Sequence, residues 1–255
     1  MRDEIMDAYT SSDYLAVEFD IVSYMKNLGK QTEDLKVLLY SNGDTIKNHM
    51  NEDIYNKMVD YLTENKVYNK LYDMYKPAFF YSLVTEVAST KSGLDLDKGI
   101  DMYFLNLAHN ENKNILELES SSYQYNLLAS FSDRLYEVII SSMMLSEEAS
   151  IQEFKDLYEA WLIGDGEKIA ENSESEEEID PEEFDDYSDV LLEIETFNKK
   201  LVDDRNEAML NKVDDYFKED KKVFLVVGIA HIVGDKGIAK GLEEKGYNVS
   251  VVEYN

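Results

Sequence analysis

Four side chains that lie far apart in the sequence could carry chemistry: two glutamates, an arginine and a histidine. Glu18 lies near the end of one apolar run, and Glu119 lies just past another. Carboxylates in such positions can serve as general bases or as ligands for a divalent ion. Taken singly, each glutamate is more simply a solvent-facing residue at the end of a strand. The case for a site therefore depends on what the other residues add.

Arg205 is the most informative single position. It shares a four-residue helical row with Leu201, Met209 and Val213. A guanidinium on a core-facing row is costly unless a carboxylate or a polar cavity receives it. The alternative is that its stem packs on the core while its head reaches solvent. The spacing alone leaves both interpretations open.

His231 follows a glycine turn at the end of a predicted strand. Gly228 permits the chain to turn sharply, and the histidine three residues later is delivered to the rim of the sheet. A lone G-x-x-H is a weak signal, and an ordinary loop histidine is the simpler explanation for this residue alone. With Arg205 and the two glutamates, a shared polar pocket becomes competitive, because ligand sites in open α/β sheets gather at the carboxyl ends of strands.

The rest of the sequence predicts the elements that must position these residues. Dense apolar runs predict four strands, at 14–22, 114–118, 223–227 and 248–253. Helical spacing of apolar side chains predicts long helices, at 123–145 and 190–217. A helix ending near Gly246 would join the last two strands into a β-α-β unit. The stretch 171–189 is strongly acidic with little apolar content, which predicts a mobile solvated loop.

Composition limits the classes of function. The 255 residues include 54 acidic and 25 basic side chains, a net charge of −29. That field argues against nucleic acid or a membrane as a partner and suits a cationic one, such as a metal ion or a basic peptide. The sequence has no cysteine and three histidines, so any metal site must depend mainly on carboxylates. No apolar run approaches the length of a bilayer span, so the chain as given is expected to be soluble.

A series of short motifs, spread over nearly the whole chain, carries a family resemblance. In chain order they are Ser12-Asp13 through Glu18 to Asp20, Gly99-Ile-Asp101, Leu118-Glu-Ser120, Tyr158 to Asp165 with Trp161, Arg205-Asn206, and Gly228-Ile-Ala-His231 with Gly234 and Gly246-Tyr247. Together they resemble the TraB/GumN/Tiki family of metal-dependent peptidases. The ordered set is far more specific than any one of its motifs.

The resemblance implies a fold and a substrate. It implies one domain over 1–255 with an α/β fold, in which many helices surround a small central β-sheet. A helical subdomain would span about 44–98 and 121–217, and the fold would be related to the erythromycin esterase and ChaN-like folds. The implied substrate or ligand is a peptide, and the residues do not indicate an oligomeric state.

The resemblance also implies roles for the candidate residues. Glu18, Glu119 and His231 would hold a divalent metal ion, for which Mn, Co and Zn are candidates. One of the two glutamates would act as general base, and which one is left open. Arg205 would stabilise an oxyanion or orient a carboxylate. The supporting positions implied by the motifs are Gly228, Asn206, Asp101 and Gly234.

One motif of the family has no counterpart here. The family's first G-x-x-H lies on a strand ahead of the opening helix, and nothing precedes Met1 in this sequence. We expect a chain truncated at its N-terminus, rather than a member that never had the strand, and as given we expect it to be inactive or nearly so. A signal or lipid anchor would have been lost with that segment. The compartment is therefore unassigned, and a full-length bacterial protein outside the cytoplasm or anchored to a membrane is compatible with the resemblance.

Two other interpretations remain open beside a hydrolase. In the first, the chain is a non-catalytic module that binds a peptide or other ligand and regulates a peptide signal. In the second, Glu18, Glu119 and Arg205 form a structural ion network without chemistry.

Overall fold

The computed structural model describes residues 1–174 and 187–252 of the chain. Its described part contains a sheet of three parallel strands: β1 (Tyr14–Val17), β2 (Asn114–Glu117) and β3 (Val223–Val226). β1 lies in the centre, between β2 and β3, with Leu15 opposite Ile115 on one side and Phe224 on the other. All three carboxyl ends therefore meet at one edge of the sheet.

Helices make up most of the described chain. The α-helices, in chain order, are α1 (Asp3–Ser11), α2 (Ile21–Lys26), α3 (Leu28–Leu35), α4 (Glu52–Glu64), α5 (Pro77–Lys91), α6 (Ile100–Glu111), α7 (Ser121–Ala129), α8 (Asp133–Leu145), α9 (Glu147–Ile163), α10 (Gly166–Glu174), α11 (Tyr187–Leu201), α12 (Asp203–Lys218) and α13 (Ile238–Glu244). Short 3₁₀ helices lie at Lys36–Leu38, Ile46–Asn48, Lys70–Met74, Leu96–Lys98 and Ile229–His231. The prediction of an α/β fold with a small sheet and many surrounding helices is confirmed.

Helices cover the sheet on both faces. Alternate side chains of a strand point to opposite faces, so Phe224 packs in the core beneath α1 and α6. Its neighbour Leu225 packs in the core that Met209 of α12 and Ile238 of α13 form on the other side. The helix that carries Arg205 is therefore fixed directly against the sheet.

A larger hydrophobic core lies among the helices beside the sheet. It joins α4, α5, α8 and α11 through fully or almost fully buried side chains. Representative members are Met58, Phe80, Leu135, Ile140 and Phe197. This layer holds α7 and α9, which border the candidate site described below.

One predicted strand ends earlier than its apolar pattern indicated, and one predicted helix is divided in two. The predicted strand 14–22 is wrong beyond Val17, because Asp20 caps α2 by accepting the Ser23 N–H at 3.0 Å. The predicted helix 123–145 is two helices, because the Ser132 side chain caps α8 by accepting a backbone N–H. In both places a local cap overrides the apolar spacing.

The predicted helix 190–217 is also interrupted. α11 ends at Leu201, and α12 begins at Asp203 with two acidic residues in its first turn, where the helix dipole favours negative charge. Arg205 lies in that same first turn. The break therefore sets the direction in which the arginine leaves the helix.

The predictions for the C-terminal strand and for the acidic loop differ from the structure over their described residues. The predicted last strand, 248–253, is wrong over its described residues, since 248–252 form no strand and Val251 is 91% exposed. β-branched residues favour extended chain, but a strand also needs the hydrogen bonds of a neighbour. The loop predicted at 171–189 is helical at 171–174 and 187–189, and its middle lies outside the described residues. Within the described ranges, no helix is both long and apolar enough to span a bilayer.

Candidate functional site

The two glutamates lie side by side at the carboxyl edge of the sheet. The hydrogen-bond ladder between β1 and β2 continues past the strands, with the Leu118 N–H donating to the Val17 carbonyl at 2.8 Å. The Glu119 N–H then donates to the Glu18 carbonyl at 2.7 Å. The register of the strands, continued by one residue, places Glu18 opposite Leu118 rather than Glu119. The two carboxylates therefore meet only beyond the regular strands, where Arg205 and Gln124 bridge them.

Arg205 lies between the two carboxylates. Its Nη2 donates to Glu18 Oε2 at 2.5 Å and to Glu119 Oε2 at 2.8 Å, and its Nε lies 2.9 Å from Glu119 Oε1. The side chain is only 12% exposed, so the guanidinium is received by carboxylates rather than by solvent. Its Nη1 also donates to the carbonyl of Leu201, the last residue of α11, at 3.1 Å. Most of its donors are therefore engaged in holding other groups of the protein.

Gln124 is a member of this cluster that sequence reasoning missed. Its Nε2 donates to Glu18 Oε2 at 3.1 Å and to Glu119 Oε2 at 3.0 Å. Gln124 therefore bridges the same two carboxylates from α7 that Arg205 bridges from α12. The residue lies in α7, which starts directly after β2 with Ser120 as its cap. Its position five residues after Glu119, in a helix that begins at the strand end, is the signal that could have found it.

His231 is buried and held by Asn206 of α12. Its Nδ1 lies 2.6 Å from Asn206 Oδ1, and Asn206 Nδ2 donates to the Lys236 carbonyl at 3.1 Å. A carbonyl can only accept, so the amide nitrogen must face Lys236 and the amide oxygen must face the histidine. That oxygen also only accepts, so Nδ1 carries the proton in the neutral ring. The lone pair of His231 is therefore on Nε2.

The Nε2 atom faces the first glutamate. It lies 3.8 Å from Glu18 Oε1, which also accepts the Gly228 N–H at 3.0 Å. A side chain on Gly228 would bring its Cβ to 3.4 Å from that same oxygen and 3.7 Å from a ring carbon of the histidine. These are ordinary van der Waals distances, and the φ of −53° at this position suits any residue, so the contact with Glu18 does not require the glycine that the sequence pattern emphasised.

The remaining two positions implied by the motifs lie outside this cluster. Gly234 has a φ of +81°, a left-handed conformation that favours glycine, in the turn between His231 and α13. Asp101 is exposed in the first turn of α6. The structure therefore brings together Glu18, Glu119, Arg205, Asn206, Gly228 and His231 and leaves Asp101 on a separate wall.

The charges of the cluster keep the carboxylate ionised and the imidazole neutral. Burial raises the pKa of Glu18, but the Gly228 N–H and the Arg205 charge lower it by more, so the pKa lies below its usual range. Burial and the charge of Arg205 lower the pKa of His231, against the opposing effect of the two glutamates. Burial lowers the pKa of Arg205, but the hydrogen bond and charge of the carboxylates raise it above its ordinary value.

This arrangement can position a water molecule for attack. Two acceptors, a neutral Nε2 and a carboxylate oxygen, face each other at 3.8 Å. One water at about 2.8 Å from each can donate a hydrogen bond to both. A neutral imidazole is also able to take a proton from such a water at neutral pH. The two acceptors are therefore already at a separation that one water molecule can bridge.

The same residues do not fit the divalent ion that the resemblance implies. Among the described residues, no group of three or more histidine, aspartate or glutamate side chains is arranged as ligands for a metal ion. Both oxygens of Glu119 face the Arg205 guanidinium, which leaves His231 Nε2 and Glu18 Oε1 as the available donors. Open catalytic metal sites commonly use three protein ligands. The cluster falls one donor short.

A cleft of about 940 Å³ opens beside the cluster. Its floor is formed by the ends of β1 and β3, including Val17 and Val226, and Glu18 and Gly228 reach into it from the cluster. Asp101 lies on its wall, together with other residues of the segment between α5 and α6 and of α9. Glu18 therefore joins the buried hydrogen-bond cluster to an open cavity of ligand size.

Comparison with known proteins gives one match. The TraB/PrgY/gumN family matches residues 1–251, which is nearly the whole chain. No curated protein and no solved structure matches the chain.

Proposed function

Because the chain belongs to the TraB/PrgY/gumN family, we propose that it is a hydrolase that cleaves a peptide bond at the His231–Glu18 cluster. The observation that carries the proposal is the orientation of His231. Asn206 fixes its protonated Nδ1, and the basic Nε2 faces Glu18, which lines a large cleft. An oriented and neutral imidazole that faces a carboxylate on the wall of a cavity suits general-base hydrolysis.

In the proposed reaction, a water lies between His231 Nε2 and Glu18 Oε1 and attacks the carbonyl carbon of the bound peptide. The imidazole takes the proton from the attacking water and returns it to the leaving amine, so that the C–N bond breaks and the imidazole ends neutral. Glu18 orients the water and stabilises the imidazolium that forms transiently. Glu119 and Gln124 act indirectly, by holding Arg205 and Glu18 in place.

Arg205 is proposed to position the carboxylates rather than to bind the substrate. Its Nε and Nη2 are directed to Glu119 and Glu18, and one Nη1 hydrogen is directed to a backbone carbonyl. A guanidinium committed in this way has few donors left for an oxyanion. Its charge still favours the ionised form of Glu18, which the proposed reaction uses.

A divalent ion is proposed only as a weakly held addition. Mn²⁺, Co²⁺ or Zn²⁺ would find two facing donors here, and Glu119 could join them only by giving up Arg205. We therefore expect slow hydrolysis by this chain, close to the inactivity predicted from the sequence.

The test compares the wild-type chain with the His231→Ala variant. Hydrolysis of a mixture of short peptides is followed over hours by mass spectrometry, with His49→Gln as a matched control that removes a remote imidazole. We expect slow cleavage by the wild type and by the control, and a rate at least about 100-fold lower for His231→Ala. Circular dichroism and urea unfolding check that the variant retains the fold. Equal cleavage by the wild type and His231→Ala would overturn the assignment.

A non-catalytic binding module is the second candidate. It is favoured by the engagement of both carboxylates with Arg205 and Gln124, which suits a rigid binding wall as well as a catalytic one. Such a module would bind peptide without cleaving it, would respond weakly to His231→Ala, and would lose affinity as salt is raised. Binding that persists in His231→Ala, with no products from either protein, would establish this alternative.

A further inference from the structure

We propose that the cleft beside Glu18 takes a peptide segment in which an apolar side chain lies next to an ammonium group. This inference rests on the proposed function, since it names the class of substrate for the same site. The ammonium can be a free amino terminus or a lysine side chain, and these two sources share one chemistry. The proposal depends on an aromatic wall and an unpaired carboxylate, both of which line the cleft.

The aromatic wall is formed by α9. Tyr158 and Trp161, three residues apart on the helix, stack with ring centroids 6.1 Å apart and planes 20° apart. Both rings are exposed and line the cleft, together with Ile100 and Ile229. Large rings held in parallel beside an open cavity offer apolar area to a ligand, because burying such a surface is favourable.

The second feature of the cleft is an acidic side chain on its wall. Lys98 is the basic residue that lines the cleft, and its Nζ is paired with Asp95 at 2.6 Å. Asp101, in contrast, has no ion pair or hydrogen bond with any other described side chain. A carboxylate on the wall of an apolar cleft, in a protein with a net charge of −29, attracts a cation and repels an anion. The complement to this wall is an ammonium close to an apolar group.

The volume of the cleft agrees with an extended peptide rather than a small ion. About 940 Å³ lies at the upper end of the range for ligand pockets. The cleft leads to Glu18, so a peptide in it would bring a backbone carbonyl toward the proposed water. The aromatic wall would then receive the side chain of a residue close to the cleaved bond.

The test uses the only tryptophan of the chain, Trp161, as a direct reporter of the cleft. Three tetrapeptide amides that contain phenylalanine are titrated while tryptophan emission is recorded. The first is N-acetylated with a lysine after the phenylalanine, the second replaces lysine by norleucine, and the third is the norleucine peptide with a free amino terminus. We expect emission changes with at least one cationic peptide, at an affinity about fivefold tighter than for the neutral one. Whichever cationic peptide binds more tightly identifies the source of the ammonium.

The Asp101→Asn variant should abolish the preference for the cationic peptide while leaving the affinity for the neutral peptide unchanged. Asp60→Asn is the matched control, since Asp60 is an exposed residue of α4 away from the cleft. Equal affinity for all three peptides, no change in emission with any of them, or an equal loss in the control variant would overturn the inference. Cleavage products are measured in the same samples. If the protein prefers the cationic peptide but cleaves none of them, the inference about the cleft stands and the hydrolase proposal is refuted. If it cleaves peptides without such a preference, the hydrolase proposal stands and the inference about the cleft is refuted.

Discussion

Replacement of Arg205 by methionine should lower the free energy of unfolding by about 3 kcal/mol at neutral pH. Methionine keeps the apolar stem, but the variant leaves two adjacent carboxylates with Gln124 as their shared donor. Removal of one partner from a buried ion pair typically costs about 3–5 kcal/mol. The Glu119 side chain is 3% exposed, which favours the full loss of stability. The Glu18 side chain is 25% exposed, so its solvation by water offsets part of that loss. We therefore expect the lower end of the range.

The loss should also depend on pH, with a known sign. In the wild type, the pKa of Glu18 in the folded state is lowered below its unfolded value, so its contribution to stability is present above the unfolded pKa and is lost as pH falls through the folded pKa. In the variant, burial and the neighbouring carboxylate should raise the pKa of Glu18 above the unfolded value. The folded variant then binds more protons than the unfolded chain, so the deficit relative to the wild type should shrink as pH falls from about 7 to about 5.

Urea unfolding followed by circular dichroism at the two ends of this pH range measures both effects. Lys199→Met is the matched control, because its pair with Asp204 is exposed and should contribute less than about 1 kcal/mol. The double variant Arg205→Met with Glu119→Gln should recover part of the loss, since it removes one of the two unpaired charges. A deficit below about 1 kcal/mol, or one that does not change with pH, would refute the view that the guanidinium holds the two carboxylates together.

Three further outcomes are expected. Asn206→Leu removes the acceptor of the His231 Nδ1 proton, so nitrogen NMR should show a mixture of imidazole tautomers. The rate of any hydrolysis should fall by about 10- to 100-fold. A single, unchanged tautomer would contradict this expectation. Gly237→Ala should lower stability by about 2–3 kcal/mol in thermal unfolding, because its Cβ would lie 2.3 Å from the Val233 carbonyl oxygen. The control is Gly29→Ala in α3, whose Cβ would have its nearest contact at 3.5 Å, and this change should be neutral or mildly stabilising. Calorimetry with Mn²⁺, Co²⁺ and Zn²⁺ should detect only weak binding that His231→Ala reduces further, and tight binding would show that the carboxylates exchange Arg205 for the ion.

Much of the candidate site could be predicted because strand ends are visible in the sequence. The apolar runs before Glu119 and His231 end close to the observed strands, whereas the run that contains Glu18 continues to Val22 and hid the end of β1. Parallel strands gather their carboxyl ends at one edge, which places these residues near one another. The family resemblance was confirmed by a match over 1–251. The helical row of Arg205 left open whether its guanidinium meets a carboxylate or reaches solvent, and the structure directs it at the carboxylates beyond those strand ends.

The parts that were missed depend on contacts between segments. The amide orientation of Asn206, and hence the tautomer of His231, is set by the Lys236 carbonyl in a turn 30 residues away. No pattern of side chains encodes that carbonyl. The last predicted strand failed for a related reason, since apolar alternation at 248–252 describes a chain that could pair but not an edge that receives it. The periodicity of a sequence indicates local preference only. Whether a strand forms, or which tautomer a histidine adopts, depends on hydrogen-bonding groups from other segments of the chain.

The assembly of the cluster from distant parts of the chain has a consequence for folding. Arg205 reaches Glu18 across 187 residues and Glu119 across 86, and the Gly228 N–H reaches Glu18 across 210. Contacts of such long range close late, because the entropy of bringing distant segments together must be paid before the contacts form. The helices beside the sheet are built from more local contacts, so they can reach full helicity while the glutamates and the arginine are still apart. In a refolded preparation, the far-ultraviolet helical signal will therefore overstate the fraction of molecules that possess a complete site, and specific activity should be normalised to titrated sites rather than to helical content.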